Sequence, residues 1–375
     1  MSQLFSPATL RGLTLRNRTI VAPMCQYSAK DGFANDWHLV HLGRFAIGGF
    51  GLVILEATGV TPEARISYAD LGLWKDEHIA PLTRIVDFLH SQGAAAGIQL
   101  AHAGRKASTP VSWHTELIKT EAGKVTAGYE QWTPVAPSAV IHSADPAFTT
   151  PIALDQAGID GVIQAFVDAT KRANQAGFDT VEVHAAHGYL LNQFLSPLAN
   201  KRTDQYGGSL ENRMRLPLAV VEAVRAVWPA DKPLLVRISV SDNHPEGWQV
   251  ADSIVFAKQL KALGVDAINC SSGGFDGAAI KSAASYQVPF AEAVRHGADI
   301  PTIAVGLIAS PEEAEAIIVE GKADFIALAR GALDDPNWAV HADHALGQAD
   351  YDLWPDQTRR VREFDRWLKR RSFAE

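Results

Sequence analysis

The chain has 375 residues, and 34 Lys plus Arg against 42 Asp plus Glu give a formal net charge of −8. No basic field is available to hold a phosphodiester backbone or an anionic lipid surface, so neither nucleic acid nor membrane is expected as a partner. At 47% hydrophobic and 20% charged residues, the composition excludes a disordered chain and supplies material for a large core.

The first residues, MSQLFSPATLRGLTLRNR, carry Arg11, Arg16 and Arg18 where an export signal needs an uninterrupted apolar stretch. Nowhere does an apolar run reach the roughly eighteen residues of a membrane span. With Cys25 and Cys270 as the only cysteines, no disulfide framework or multi-cysteine zinc or iron–sulfur site can form, and a reducing, cytoplasmic setting is expected.

Along the chain, eight short runs rich in Val, Ile and Leu read as parallel strands buried on both faces. They are 19–24 (TIVAPM), 51–57 (GLVILEA), 96–100 (AGIQL), 180–185 (TVEVHA), 234–240 (LLVRISV), 266–271 (DAINCS), 301–306 (PTIAVG) and 324–329 (DFIALA). Helical patterns lie between them. In 155–176, Ile159, Val162, Ile163, Phe166 and Val167 share one face and Gly177 supplies a stop. Ser310-Pro311-Glu312-Glu313 is a capping box with proline in the first turn, and Gly321 closes that helix.

Eight such units predict an α/β chain closed as a (β/α)8 TIM barrel, one domain over 1–375. An open doubly wound sheet is the alternative, but its GxGxxG turn after the first strand is absent. The long gap between the third and fourth strands marks an insertion, 103–154, expected as a lid or short hairpin. The tail, 346–375, is expected at a subunit interface.

In such a barrel the chemistry sits at the carboxyl ends of the strands. There the sequence places Pro23, Met24, Cys25 and Tyr27, then Ala57, Gln99 with His102 and Lys106, His184, His187 and Tyr189, Arg237, Gly273 and Gly274, Gly306, and Arg330. Arg237 inside LLVRISV needs an anion, either a strand carboxylate such as Glu56 or Glu182 or charge developing on a cofactor or substrate. Gln99 is either satisfied by backbone or presents donor and acceptor to the edge of an imide ring. Gly273, Gly274, Gly306 and Arg330-Gly331 follow strands six to eight, where barrels recurrently bind phosphate; the plainer reading is glycines that merely end strands. His184 and His187 are metal ligands with His102, or neutral donors to one carbonyl or nitro oxygen, with Tyr189 placed to protonate a carbanion.

The stretch 184–213, HAAHGYLLNQFLSPLANKRTDQYGGSLENR, resembles the signature of the Old Yellow Enzyme family of FMN-dependent ene-reductases. The likeness extends over LRNRTIVAPMCQY, IQLAHAGRKA, VRISV and ALARGALDDPNW, and PMCQY resembles the xenobiotic reductase or thermophilic-like branch through Cys25 and Tyr27. The resemblance implies FMN bordered by Pro23, Met24, Cys25, Ala57, Gln99 and Arg237, with Gly306 and Arg330 at its phosphate. It implies that NADPH or NADH reduces the flavin and that an electron-poor alkene then takes the hydride at its β carbon. His184 and His187 would bind the activating group, Tyr189 would supply the proton, Tyr27 would assist at the oxygen, and Lys106 would lie near flavin or substrate. Phenolic ligands are expected to bind as mimics of the product-side enolate. In this branch a residue from a neighbouring subunit enters the site, and Arg360 stands near the matching place, with Thr358 where an aromatic is common. A homodimer or homotetramer is therefore expected. A related barrel acting on dienoyl thioesters is excluded, since two cysteines cannot supply its iron–sulfur cluster.

Overall fold

Inward and outward side chains alternate along buried parallel strands, and in this chain that alternation builds a closed barrel. The structure is a computed structural model that describes residues 2–111, 113, 131–145, 147–279, 282–347 and 351–363. Its strands are β1 (Ala8–Leu10), β2 (Leu13–Leu15), β3 (Thr19–Val21), β4 (Leu52–Gly59), β5 (Ala95–Ala101), β6 (Val135–Ala136), β7 (Ile152–Ala153), β8 (Thr180–Ala185), β9 (Leu234–Ser239), β10 (Ala267–Ser271), β11 (Thr302–Ala304) and β12 (Phe325–Leu328). The helices are α1 (Asp36–Ile47), α2 (Ile79–Ser91), α3 (Gln156–Gln175), α4 (Leu190–Leu195), α5 (Leu210–Val227), α6 (Val250–Ala262), α7 (Val288–Ala298), α8 (Pro311–Val319), α9 (Arg330–Asp334) and α10 (Trp338–Ala345).

Eight strands close in the order β10-β11-β12-β3-β4-β5-β8-β9, and every ladder between them is parallel. All eight expected strands are present, so the TIM barrel replaces the doubly wound alternative. Leu52 and Ile54 point into the barrel with Ile20, Leu235 and Phe325, while Val53 and Leu55 face the helices with Leu82, Ile85 and Val86. A register shift between Leu55 and Ala57 puts Ala57 opposite Gln99 and frees Glu56 to leave the ladder.

Two features differ from expectation. The antiparallel pair β1–β2 was not legible as strands, because three-residue strands carry little periodic signal; its Leu10 and Leu15 plug the amino-terminal end of the barrel. Within the insertion, β6 and β7 pair in parallel rather than as a hairpin, since the stretch 137–151 carries the chain back before it pairs. The centre of the insertion, 114–130, lies outside the described residues.

The caps work as anticipated, with one shift. Asp155 accepts from Gly158 N at 2.8 Å to start α3, and Gly177, at φ +91, ends that unit. Ser310 accepts from Glu313 N at 3.1 Å, but Glu313 returns to the N–H of Ala309 at 3.2 Å instead of closing the box on Ser310.

Candidate active site

Strand parity carries Gln99, Glu182, His184, Arg237 and Asn269 to the inner wall near the carboxyl ends: Gln99 faces Glu182, and Arg237 faces His184 on one side and Asn269 on the other. Glu182 is 0% exposed, and its two oxygens accept from Gln99 Nε2 at 2.7 Å and Asn269 Nδ2 at 2.8 Å. Both carboxylates considered as partners for Arg237 are engaged elsewhere. Glu56 accepts from Gln26 N at 2.8 Å and approaches His38 at 3.4 Å, which pins the loop carrying Cys25. Arg237 is 7% exposed, and its Nε is buried without a hydrogen-bond partner. Such an orphaned guanidinium edge is costly unless an anionic or polar group completes it.

Arg237 and Arg330 line one cavity of about 170 Å³ together with Ser271, Gln287, Gly306, Leu307 and Gly331. Gly306 has φ +119, and a Cβ there would stand 2.9 Å from Gln287 Nε2, so this stretch of backbone packs directly on the Gln287 side chain. Two arginines and bare backbone in one cavity suit an anion joined to a flat polar ring, which is the shape of FMN. Gly273 and Gly274 are not among the residues lining it. Gly274 packs on the turn after β8, where a Cβ would collide with the backbone of His187, and Gly273, at φ +73, accepts from Ser239 Oγ at 2.7 Å.

That turn holds the histidine pair. His187 has φ +59, a left-handed conformation unusual for a residue with a Cβ, and its N–H donates to Ser239 Oγ at 2.9 Å. The rings of His184 and His187 meet edge to face at 5.1 Å between centroids, and His184 meets Tyr189 at the same separation. His187 Nε2 lies 2.7 Å from Ser271 Oγ, and His184 Nδ1 is buried without a partner. The ring nitrogens left accessible are therefore His184 Nε2 and His187 Nδ1. Burial, reinforced by the Arg237 charge, holds both imidazoles well below the usual histidine range, so both are neutral.

Tyr189, Tyr27 and Cys25 pack together over Ala57, Ala101 and Ala103. Burial pushes the Tyr189 hydroxyl, the Tyr27 hydroxyl and the Cys25 thiol up, with Asp70 adding to all three, so each keeps its proton. Pro23 and Met24 precede them, half-buried, in the same loop after β3. Trp113 of the insertion stands edge-on to Tyr27 at 5.6 Å. Lys106 Nζ donates to the carbonyl oxygens of His187 at 2.9 Å and Gly274 at 3.4 Å, and burial lowers it to about 8.

His102 Nδ1 accepts from Gly104 N at 3.1 Å, and among the described residues no three His, Cys, Asp or Glu are grouped to hold a metal. Arg360 is exposed on the tail, which lies against Arg16, Ser91 and Gln92 near the amino-terminal strand ends, far from its own barrel's chemistry. Sequence reasoning missed Asn269, Ser239 and Gln287, polar residues whose only signal is inward parity or a place beside a helix start. Among the described residues no helix is long and apolar enough to cross a membrane.

The profile of the NADH:flavin oxidoreductase / NADH oxidase family matches residues 3–348. The NADPH dehydrogenase of Geobacillus thermodenitrificans (strain NG80-2) is 48% identical over 347 residues, 92% of this chain and 94% of that protein. Among solved structures, morphinone reductase superposes with a TM-score of 0.75 at 30% identity, over 92% of this chain and 90% of that one. A 2-naphthoyl-CoA reductase in complex with 2-naphthoyl-CoA gives a TM-score of 0.81 at 25% identity over 93% of this chain, which spans 53% of that longer one.

Proposed function

The chain belongs to the NADH:flavin oxidoreductase / NADH oxidase family, which includes the Old Yellow Enzymes, and from that premise we propose that it is an ene-reductase for alkenes conjugated to a carbonyl or nitro group. It is an FMN-dependent NAD(P)H oxidoreductase. The observation that carries the finer reading is the pair of neutral imidazoles, His184 and His187, presenting accessible nitrogens on one turn beside Tyr189.

Bound FMN supplies the hydride, taken from NADPH or NADH and passed to the alkene carbon β to the activating group. Pro23, Met24, Cys25, Ala57, Gln99 and Arg237 would border its ring, and Gly306 and Arg330 its phosphate. Arg237, unpaired at Nε, would supply a fixed positive charge beside the ring and so favour its reduced, anionic form. His184 and His187 donate to the carbonyl or nitro oxygen, where negative charge builds as hydride arrives. Tyr27 adds a donor at that oxygen, and Tyr189 holds the proton for the α carbon. Simple olefins offer no place for the charge and are not substrates.

Arg360 lies at the opposite end of its own barrel, so it serves catalysis only in another copy's site, within a homodimer or homotetramer. The two free cysteines suit the reducing cytoplasm, where we place the enzyme. Purified protein should be yellow, bleached by NADPH under argon and recoloured by cyclohexenone. A flavin that NADPH reduces but cyclohexenone and nitroalkenes leave reduced overturns the ene-reductase reading. A colourless protein that takes up no FMN overturns it as well.

A further inference from the structure

A fully buried carboxyl in a barrel core is expensive unless its charge is used, and the mechanism above leaves Glu182 without a task. Its two oxygens each accept one amide N–H, from Gln99 and from Asn269. Among the described residues no ion pair joins it to Arg237, which stands opposite Asn269 in the neighbouring ladder; burial pushes the Glu182 carboxyl up, while Arg237 and the amides of Asn269 and Gln99 pull it back toward the charged form. A carboxylate is an acceptor only, so Gln99 must turn Nε2 toward it and keep Oε1 for whatever lies above.

We propose that Glu182 is a positioning residue for the flavin: as a buried carboxylate it fixes the amide of Gln99 to present its oxygen to the imide N–H of the ring, and it offsets the charge of Arg237. The inference rests on the FMN reading above. It makes the Gln99 orientation a consequence of charge rather than of packing. It also makes the electrostatics beneath the ring those of a balanced pair, so that the acceptance of electrons by FMN is restrained rather than driven by an uncompensated guanidinium.

Glu182→Gln removes the charge at nearly constant volume. With FMN bound, the reduction equilibrium should move at least tenfold toward the reduced form, a rise of about 30 mV for a two-electron couple. Glu182→Asp, which keeps the charge, should stay close to wild type. A Glu182→Gln protein that holds FMN at an unchanged or lowered potential overturns the proposal. Independently of either variant, infrared spectra of wild-type protein labelled with carbon-13 glutamate should show no protonated carboxyl band from Glu182 at neutral pH. Such a band would mean that an amide is turned over to receive a proton, and would equally overturn it. A wild-type chain that binds no FMN fails the flavin reading itself, whereas bound FMN with no change of potential fails this inference alone.

Discussion

The ammonium of Lys106 donates to the carbonyl oxygen of His187 at 2.9 Å, so a lysine placed just after β5 holds the backbone of the turn after β8. The same nitrogen reaches Gly274 O at 3.4 Å and stands 4.8 Å from the centre of the Tyr189 ring. It thus adds a polar tie among three segments that are also joined by His187 Nε2 to Ser271 Oγ at 2.7 Å and by Leu190 N–H to His102 O at 2.9 Å, and it is the side-chain donor on the carbonyl of the left-handed His187. Lys106→Met would leave buried carbonyls unpaired at a cost of about 1–3 kcal/mol. Binding of a para-substituted phenol, followed by its charge-transfer band with oxidised flavin, should weaken by roughly tenfold or more while FMN content holds. An unchanged titration would show that the turn stands without the lysine.

Ser271 Oγ has one proton to give, to Gln287 Oε1 or to His187 Nε2, and where it goes sets which nitrogen of His187 carries its own. Gln287 uses Nε2 on Val305 O at 3.3 Å, which turns its Oε1 toward Ser272 at 2.9 Å and Ser271 at 3.3 Å. The contact from Ser271 Oγ to His187 Nε2 is the shorter, at 2.7 Å. A hydroxyl that donates to Nε2 fixes the tautomer with N–H at Nδ1, the nitrogen left accessible. Ser271→Ala should mix the tautomers, visible as averaged nitrogen-15 shifts of His187, and should weaken phenol binding by about fivefold to tenfold, the worth of one hydrogen bond. A single unshifted tautomer in the variant would place the control elsewhere.

Much of this was open to sequence reading because strand parity is strict. A charged residue inside LLVRISV can only point into the barrel or into the helices, and either way its partner becomes the question. The inner wall of Gln99, Glu182, His184 and Arg237 follows from such counting. What counting could not supply is which neighbour wins. Glu182 was a candidate partner for Arg237, and the structure gives its oxygens to two amides, one of them from Asn269, a residue with no motif around it. Gly274 read as a phosphate ligand by position, yet it packs against the backbone of His187, because close approach between two loops leaves no trace in either loop alone.

His102 offers a test of buried-histidine linkage away from the reacting atoms. Burial lowers it from 6.5 to about 4, so between those values the unfolded chain binds a proton that the native state does not. Its contribution therefore opposes folding as pH falls through that window, by at most about 1.4 kcal/mol per pH unit. His102→Gln keeps a polar side chain but not the titration. Whatever the variant costs at about pH 7, the gap in denaturation midpoint between it and wild type should narrow at about pH 5. A gap that stays constant or widens would show that His102 is protonated in the native protein.

Tyr189 must hold a proton until the α carbon needs it, and its surroundings favour that. Burial raises its hydroxyl well above the ordinary tyrosine value, the neighbouring Cys25, Tyr27 and Asp70 oppose its ionisation further, and Arg237 pulls only weakly the other way. Replacing Tyr189 by Phe keeps the ring, with its edge-to-face contact to His184 at 5.1 Å and the Lys106 ammonium at 4.8 Å, so the turn should hold its shape. The lost hydroxyl enters only the second half-reaction. Stopped-flow measurement should therefore find flavin reduction by NADPH changed by less than about threefold, and reoxidation by cyclohexenone slowed by about 10²–10⁴, the usual worth of a positioned general acid. Equal slowing of both halves would mean that the hydroxyl shapes the pocket rather than delivering the proton. Reoxidation at the wild-type rate would assign the proton to water or to Tyr27.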